Sequence, residues 1–253
     1  MSPSASGARP AGATDEVSSA AGVQQMFNQI APRYDLLNHV LSCNVDRWWW
    51  WRTARRFDGV LKRSDAAVLD ICCGTGDMTL ALLKRRPQGS RPVLAADFSH
   101  GMLARGAEKF AKFNTGNGGA VAIEADALHL PIASGSLDLI TSAFGFRNLA
   151  NYEAGLREFF RTLAPGGQLG ILDFSEPGGP LGKLYAFYFR RILPAIGARL
   201  SGMGSAYAYL PSSVANFPPP EEMLALMRKV GFTDVSWTPY TFGIAGLYRA
   251  VKR

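Results

Sequence analysis

Residues 69–78 read Leu-Asp-Ile-Cys-Cys-Gly-Thr-Gly-Asp-Met. Three chemistries could use such a stretch: a metal site, a redox pair, or a loop shaped around a nucleoside. Zinc ligands and dithiol redox centres need separated cysteines, commonly C-x-x-C. Cys72 and Cys73 are adjacent, and none of the three histidines, His39, His100 and His129, is paired at ligand spacing. The cysteines read as small, soft side chains packed at a strand end, and no metal is expected. Gly74 and Gly76 can take backbone conformations denied to other residues and admit a ligand close to the chain.

Acidic groups complete the pattern. Asp97 follows Gly76 by 21 residues, the spacing at which a carboxylate accepts from ribose hydroxyls. Asp126, expected at the end of a third strand, can reach an adenine amino group. A dinucleotide fingerprint would be G-x-G-x-x-G with a pyrophosphate on the helix N-terminus. Here the third glycine is replaced by Thr79, and Asp77 puts negative charge where the pyrophosphate would sit. The loop suits a positively charged nucleoside, and S-adenosylmethionine carries both a sulfonium and an ammonium.

These residues need strand ends to hold them. From residue 65 the sequence alternates apolar runs with helical segments. AAVLDICC, RPVLAADF, AVAIEAD, SLDLITSAF and QLGILDFSEP read as strands. DMTLALLKRR, SHGMLARGAEKFAKF with Ser99 as N-cap, and NYEAGLREFFRTL read as the helices between them, and APGG as the turn before the fifth strand. Another helix covers 220–230, and FTDVSWTPY and FGIAGLYRAVKR form a hairpin. The fold expected is α/β: a doubly wound, mostly parallel seven-stranded sheet, Rossmann-like, with an antiparallel C-terminal hairpin and helical lid segments. Residues 1–21, rich in Ala, Ser, Gly and Pro, read as a disordered tail. Residues 22–253 read as one domain, with 22–64 an N-terminal helical lid and 176–219 a substrate-side insertion.

The chain has 253 residues, 47% hydrophobic and 19% charged, ordinary for one globular domain. It lacks the run of about 18 apolar residues that a spanning helix needs. With no secretory signal, the cytoplasm is the expected location. A net charge of +7 suits nucleic acid, an anionic membrane surface, or merely a solvated basic surface.

Longer stretches resemble the quinone C-methyltransferases of menaquinone and ubiquinone biosynthesis (the MenG/UbiE/Coq5 type). MFNQIAPRYDLLNHVLSCNVDRWW resembles that family's opening signature, and LDICCGTGDMT its cofactor loop. The span from ADALHLP through FGFRN to DFSEP resembles its central signature, and AYAYLPSSVANFP and GIAGLYRAVKR its later segments. The likeness runs over about residues 23–253. It implies a class I S-adenosylmethionine-dependent methyltransferase acting on a demethylmenaquinol, or on the benzoquinol precursor of ubiquinone. It also implies that Thr75, Asp97, Asp126 and Ala127 contact the cofactor, with Asp70, Gly74, Gly76, Phe98 and Ala143 around them. Tyr34, Phe144, Tyr185 and Tyr209 are the residues expected on the substrate. Three positions depart from the family: Ala143 replaces the usual serine, Asp173 a frequent glutamate, and Glu176 a lysine.

In such a reaction a ring carbon becomes nucleophilic once a neighbouring hydroxyl loses its proton. Arg147 and Asn148 are the candidates to hold the developing phenolate; the alternative for Arg147 is a structural pair with a carboxylate. Asp173 is the candidate to orient a water or act as base, against a structural hydrogen-bonding role. The expected partners are a lipid-soluble quinol and, peripherally, an anionic membrane at the inner face of the cell membrane, with a homodimer admitted. DRWWWWRTARR supports membrane contact, because four consecutive helical residues sweep about 300° and cannot share one core. The alternative is that two or three tryptophans pack inward and one is merely exposed. KLYAFYFRRILPAIGARL is similarly basic and amphipathic. No nucleic acid is expected: AFGFRN stands where base-amino methyltransferases often carry Asp/Asn-Pro-Pro-aromatic. A non-catalytic S-adenosylmethionine-binding subunit is the remaining rival.

Overall fold

The computed structural model describes residues 7–10, 12–31, 44–113, 118–175, 177 and 204–253. Seven strands form one sheet: β1 Val68–Ile71, β2 Val93–Asp97, β3 Ala120–Glu124, β4 Leu137–Ala143, β5 Leu163–Phe174, β6 Thr233–Tyr240 and β7 Ala245–Val251. Their order is β3-β2-β1-β4-β5-β7-β6. The first five are parallel; β7 runs antiparallel to β5 and to β6. β1 and β4 are neighbours, Leu69 beside Ile140, with β2 and β5 outside them. Strand order reverses there, and ligands of open α/β sheets bind outside the carboxyl ends at such a point.

The central strands are mostly apolar along their length because both faces are covered. All four residues of β1 are buried. On one face Leu69, Ile71, Ile140 and Ile171 pack under α6 (Tyr152–Thr162) and α8 (Pro220–Val230). On the other, Val68, Leu139, Leu172 and Leu247 pack under α2 (Val45–Arg55), α3 (Asp58–Leu61) and α4 (Asp77–Leu83). Helix α5, His100–Lys112, follows β2, and Ser99 caps it by accepting from the Met102 amide at 3.3 Å. Helix α7 covers Gly204–Ala215.

The described residues before 22 depart from the disordered tail that their composition suggests. Helix α1 spans Glu16–Ile30, opened by a reciprocal capping box between Asp15 and Ser18. Ahead of it, the Ala8 amide donates to the Leu149 carbonyl at 2.8 Å, and Arg9 Nη1 to Ala150 at 2.9 Å. Small residues permit this approach: a Cβ on Gly7 would lie 2.0 Å from the Ala150 oxygen. A second difference is at APGG, where β5 continues back to Leu163, with a register shift against β4. Tyr34 and Tyr185, and the KLYAFYFRRILPAIGARL segment, lie outside the described residues.

Candidate active site

At the carboxyl ends of β1, β2 and β4 lies a cavity of about 440 Å³. Its floor is the loop after β1. The chain turns there through three left-handed residues, Cys72 (φ 55°), Gly74 (φ 54°) and Gly76 (φ 86°). Gly74 faces the cavity, and a Cβ there would meet nothing within 4 Å. Its amide donates to Asp97 Oδ2 at 2.8 Å, while the Ser99 amide donates to Oδ1 at 2.8 Å. Gly76 is outside the lining; a Cβ on it would lie 2.3 Å from the Phe110 ring. That glycine therefore serves helix packing, while Gly74 and Thr75 line the cavity.

Asp97 is only 6% exposed, and burial pushes its carboxyl up to about 6. Asp70, fully buried, is also raised to about 6 by burial, against the opposing hydroxyls of Thr79 (2.6 Å) and Thr141 (2.7 Å). Both carboxylates line the cavity, and neither pairs with a cation among the described residues. Asp77 differs. Lys109 reaches its Oδ1 at 3.2 Å and Thr75 Oγ1 at 3.1 Å. The negative charge that the sequence sets against a pyrophosphate is thus partly neutralised, so the carboxylates at 70 and 97 carry that argument instead.

Phe98, Asp126, Ala127 and Ala143 line the same cavity. Asp126 lies beyond the end of β3, and its Oδ1 accepts from the Leu128 amide at 2.9 Å. Both cysteines line it too, with their thiols pushed up chiefly by burial. Cys72 packs so tightly on Gly145 that a Cβ there would approach its own to 2.3 Å. Among the described residues no group of three or more His, Cys, Asp or Glu is placed to hold a metal.

The β4–β5 side is built differently. After β4, Phe144 takes a left-handed conformation (φ 58°) and lines the cavity, its ring against Phe174 and Trp49. A single 3₁₀ turn, Phe146–Asn148, follows. Arg147 Nη1 pairs with Asp173 Oδ1 at 3.0 Å, and the Arg147 amide donates to Asp173 Oδ2 at 3.0 Å. The pair is 5% and 0% exposed. The guanidinium also donates to the Phe144 carbonyl and to Ser213 Oγ. Neither Arg147 nor Asp173 lines the cavity; Asn148 does. The Tyr209 hydroxyl donates to Asn148 Oδ1 at 3.2 Å, leaving the amide nitrogen for another partner. Burial pushes the Tyr209 phenol up to about 12, so it remains a donor at neutral pH.

Helix α1 closes the cavity with Ala20, Gln24 and Phe27. Gln24 Nε2 donates to the Phe98 carbonyl at 2.6 Å. Asn28 Oδ1 accepts from Ser99 Oγ (2.7 Å) and the Gly101 amide (3.0 Å). These residues fall within or beside the expected lid, but their individual roles were missed. Their i, i+4, i+7 spacing on one helix face was the available signal.

Residues 14–252 match the model of the ubiE/COQ5 methyltransferase family. The chain is 44% identical to a demethylmenaquinone methyltransferase of Deinococcus radiodurans over 237 residues, covering 91% of this chain and 92% of that one. It is 44% identical to the protein of the same name from Thermus thermophilus, covering 88% and 98%. The ubiquinone/menaquinone biosynthesis C-methyltransferase UbiE of Geobacter sulfurreducens is 42% identical, covering 91% and 88%. Among solved structures, a SAM-dependent methyltransferase from Aquifex aeolicus has a TM-score of 0.55 at 20% identity, over 76% of this chain and 85% of that one. One from Thermotoga maritima has a TM-score of 0.59 at 17% identity, over 91% and 100%. These two likenesses concern the fold.

Proposed function

The chain belongs to the ubiE/COQ5 methyltransferase family, and from that premise we propose that it C-methylates a demethylmenaquinol to menaquinol with S-adenosylmethionine as donor. The observation that carries the reading is one cavity shared by the uncancelled carboxylates of β1 and β2 and the Asn148 amide beyond β4. The residues fit the donor. Asp97 is preset by two amides and keeps lone pairs for ribose hydroxyls. Gly74 and Thr75 bring backbone close, while Phe98, Asp126 and Ala127 border the base. Asp70 and Asp97 supply the negative potential that a cation requires. When bound, the donor supplies an electrophilic methyl group on a positively charged sulfur.

The protein's own part is placement, a hydrogen bond to the acceptor oxygen, and exclusion of water. Asn148 donates to that oxygen as it gains negative charge. Arg147 and Asp173 act through it as positioning residues: their ion pair locks the turn that carries Asn148, and Tyr209 fixes its amide. Phe144 and Trp50 give the apolar acceptor a wall. The acceptor's isoprenoid tail resides in the bilayer, so the chain works by peripheral contact at the anionic inner face of the cell membrane. No helix among the described residues is long and apolar enough to cross it.

The test is transfer of labelled methyl from S-adenosylmethionine to a short-tailed demethylmenaquinol by purified protein. Label in the naphthoquinol is expected. The relatives whose name joins both quinones favour the benzoquinol precursor as a second acceptor, scored in parallel. Tight cofactor binding without label in either would leave a non-catalytic binding subunit.

A further inference from the structure

The four tryptophans of α2 divide by function. Trp49 is buried against Phe144 and Phe174, and Trp50 lines the cavity. Trp48 and Trp51 face outward, 41% and 46% exposed. At about 100° per residue, Arg47, Trp48, Trp51 and Arg55 share one helix face. Arg52 lies over the Trp48 ring at 5.0 Å, and Arg55 over Trp51 at 4.7 Å. The one carboxylate of the helix, Asp46, is buried. The outer face therefore carries tryptophans and positive charge only.

A second element joins it. Between β6 and β7 the chain turns through three consecutive left-handed residues, Thr241 (φ 45°), Phe242 (φ 58°) and Gly243 (φ 90°). A β-branched and an aromatic residue are both disfavoured there. The turn holds Phe242 out at 81% exposure. Strain retained to expose a phenylalanine calls for a use. Trp49 Nε1 donates to Thr241 Oγ1 at 2.8 Å, and Trp48 packs on Tyr240, so turn and helix form one surface. Tyr240 pairs with Ala245, and Ala245 with Phe174 at the carboxyl end of β5. The surface thus sits at the same sheet edge as the cavity.

The geometry points to Trp48, Trp51 and Phe242, flanked by Arg47, Arg52 and Arg55, as the wedge that enters an anionic bilayer, so that the acceptor reaches the cavity past Trp50 and Phe144. This rests on the membrane reading above and names its surface. Indole and phenyl rings suit the interfacial layer, and arginines beside them meet anionic headgroups. The net charge of +7 favours the same partner.

The experiment is co-sedimentation of the full chain with phosphatidylglycerol/phosphatidylcholine vesicles, against phosphatidylcholine alone. Wild type should pellet with the anionic vesicles. Phe242→Gly should weaken that affinity roughly tenfold while its melting temperature holds or rises, because glycine relieves the turn. Adding Trp48→Ser and Trp51→Ser should weaken it roughly a hundredfold or more, with turnover of a short-tailed soluble acceptor retained. Wild type that ignores both vesicles sinks the membrane reading itself. Wild type that binds while the variants bind equally sinks only this face. Variants that shift a dimer to monomer at unchanged vesicle affinity would assign the face to a second copy instead.

Discussion

The two halves of the carboxyl edge handle buried charge in opposite ways. At β1 and β2, Asp70 and Asp97 are held among the described residues by neutral donors, threonine hydroxyls and backbone amides. At β5, Asp173 is matched by Arg147 through both side chain and backbone. A carboxylate left uncancelled beside a cavity is available to a ligand; one cancelled by a buried guanidinium is scaffold. On the proposed reading the first half recognises, and the second holds a neutral amide, Asn148, where chemistry needs a donor.

The largest effect should follow from breaking the scaffold half. Arg147→Ala leaves Asp173 buried without its counter-charge, which costs about 3–5 kcal/mol. At this chain length that is roughly 10 °C in melting temperature. Arg147→Ala/Asp173→Ala should recover most of it, since no lone charge remains. If the single variant melts like wild type yet loses turnover, Arg147 touches substrate and the comparison fails.

Asn148→Ala should come next. Removing one donor to a developing oxyanion lowers kcat about 10²–10³-fold. Cofactor affinity by calorimetry should stay within about twofold, because the recognition half is intact. Equal loss in both would move Asn148 to the cofactor.

Asp97→Ala should behave in reverse, weakening cofactor binding roughly 10–100-fold with a smaller change in kcat at saturation. pH sharpens this. A carboxyl raised to about 6 is protonated below that value, and hydroxyl donors prefer the ionised form. Cofactor binding should therefore strengthen as pH rises from 5 to 7, and Asp97→Asn should flatten the profile. Stability of the ligand-free protein has the opposite sign. Asp70 and Asp97 favour folding while protonated, below about 4, and that contribution is lost as pH rises through about 6. A pH-independent affinity in wild type would detach Asp97 from the ribose.

Much of the recognition half was legible in the residues. Apart from Asp70, β1 and β2 are apolar up to the last residue of β2, as a twice-covered strand should be, and Asp97 stands where β2 ends. The left-handed turn at Gly76 was legible, but its second reason, the Phe110 ring on another helix, was not. Nor were the left-handed conformations of Cys72 and Phe144, because neither is a glycine. They follow from the tight meeting of the β1 and β4 loops at Gly145. The scaffold half was legible only as candidates. Arg147 and Asp173 were visible as charges at two strand ends, but whether they would face each other or the cavity depends on side-chain direction across neighbouring strands. Composition also gave no sign of helix α1 among the described residues before 22, where buried Ser19 donates to the Ala8 carbonyl.

Helix α1 and the residues just ahead of it touch both halves, and loosening the helix should give the smallest effect. Gln24 and Asn28 bind the end of β2 and the start of α5, while Ala8, Arg9 and Glu16 bind residues 149–151 beyond Asn148. Gln24→Ala removes one donor to the Phe98 carbonyl, about 1 kcal/mol net. Because the helix only covers the cavity, that loss should appear as closure less often populated. Cofactor affinity should fall about fivefold, and kcat with saturating cofactor should hardly change. Should kcat fall while affinity stays, α1 acts on the scaffold half, and the strict division between recognition and positioning would give way to coupling through the lid.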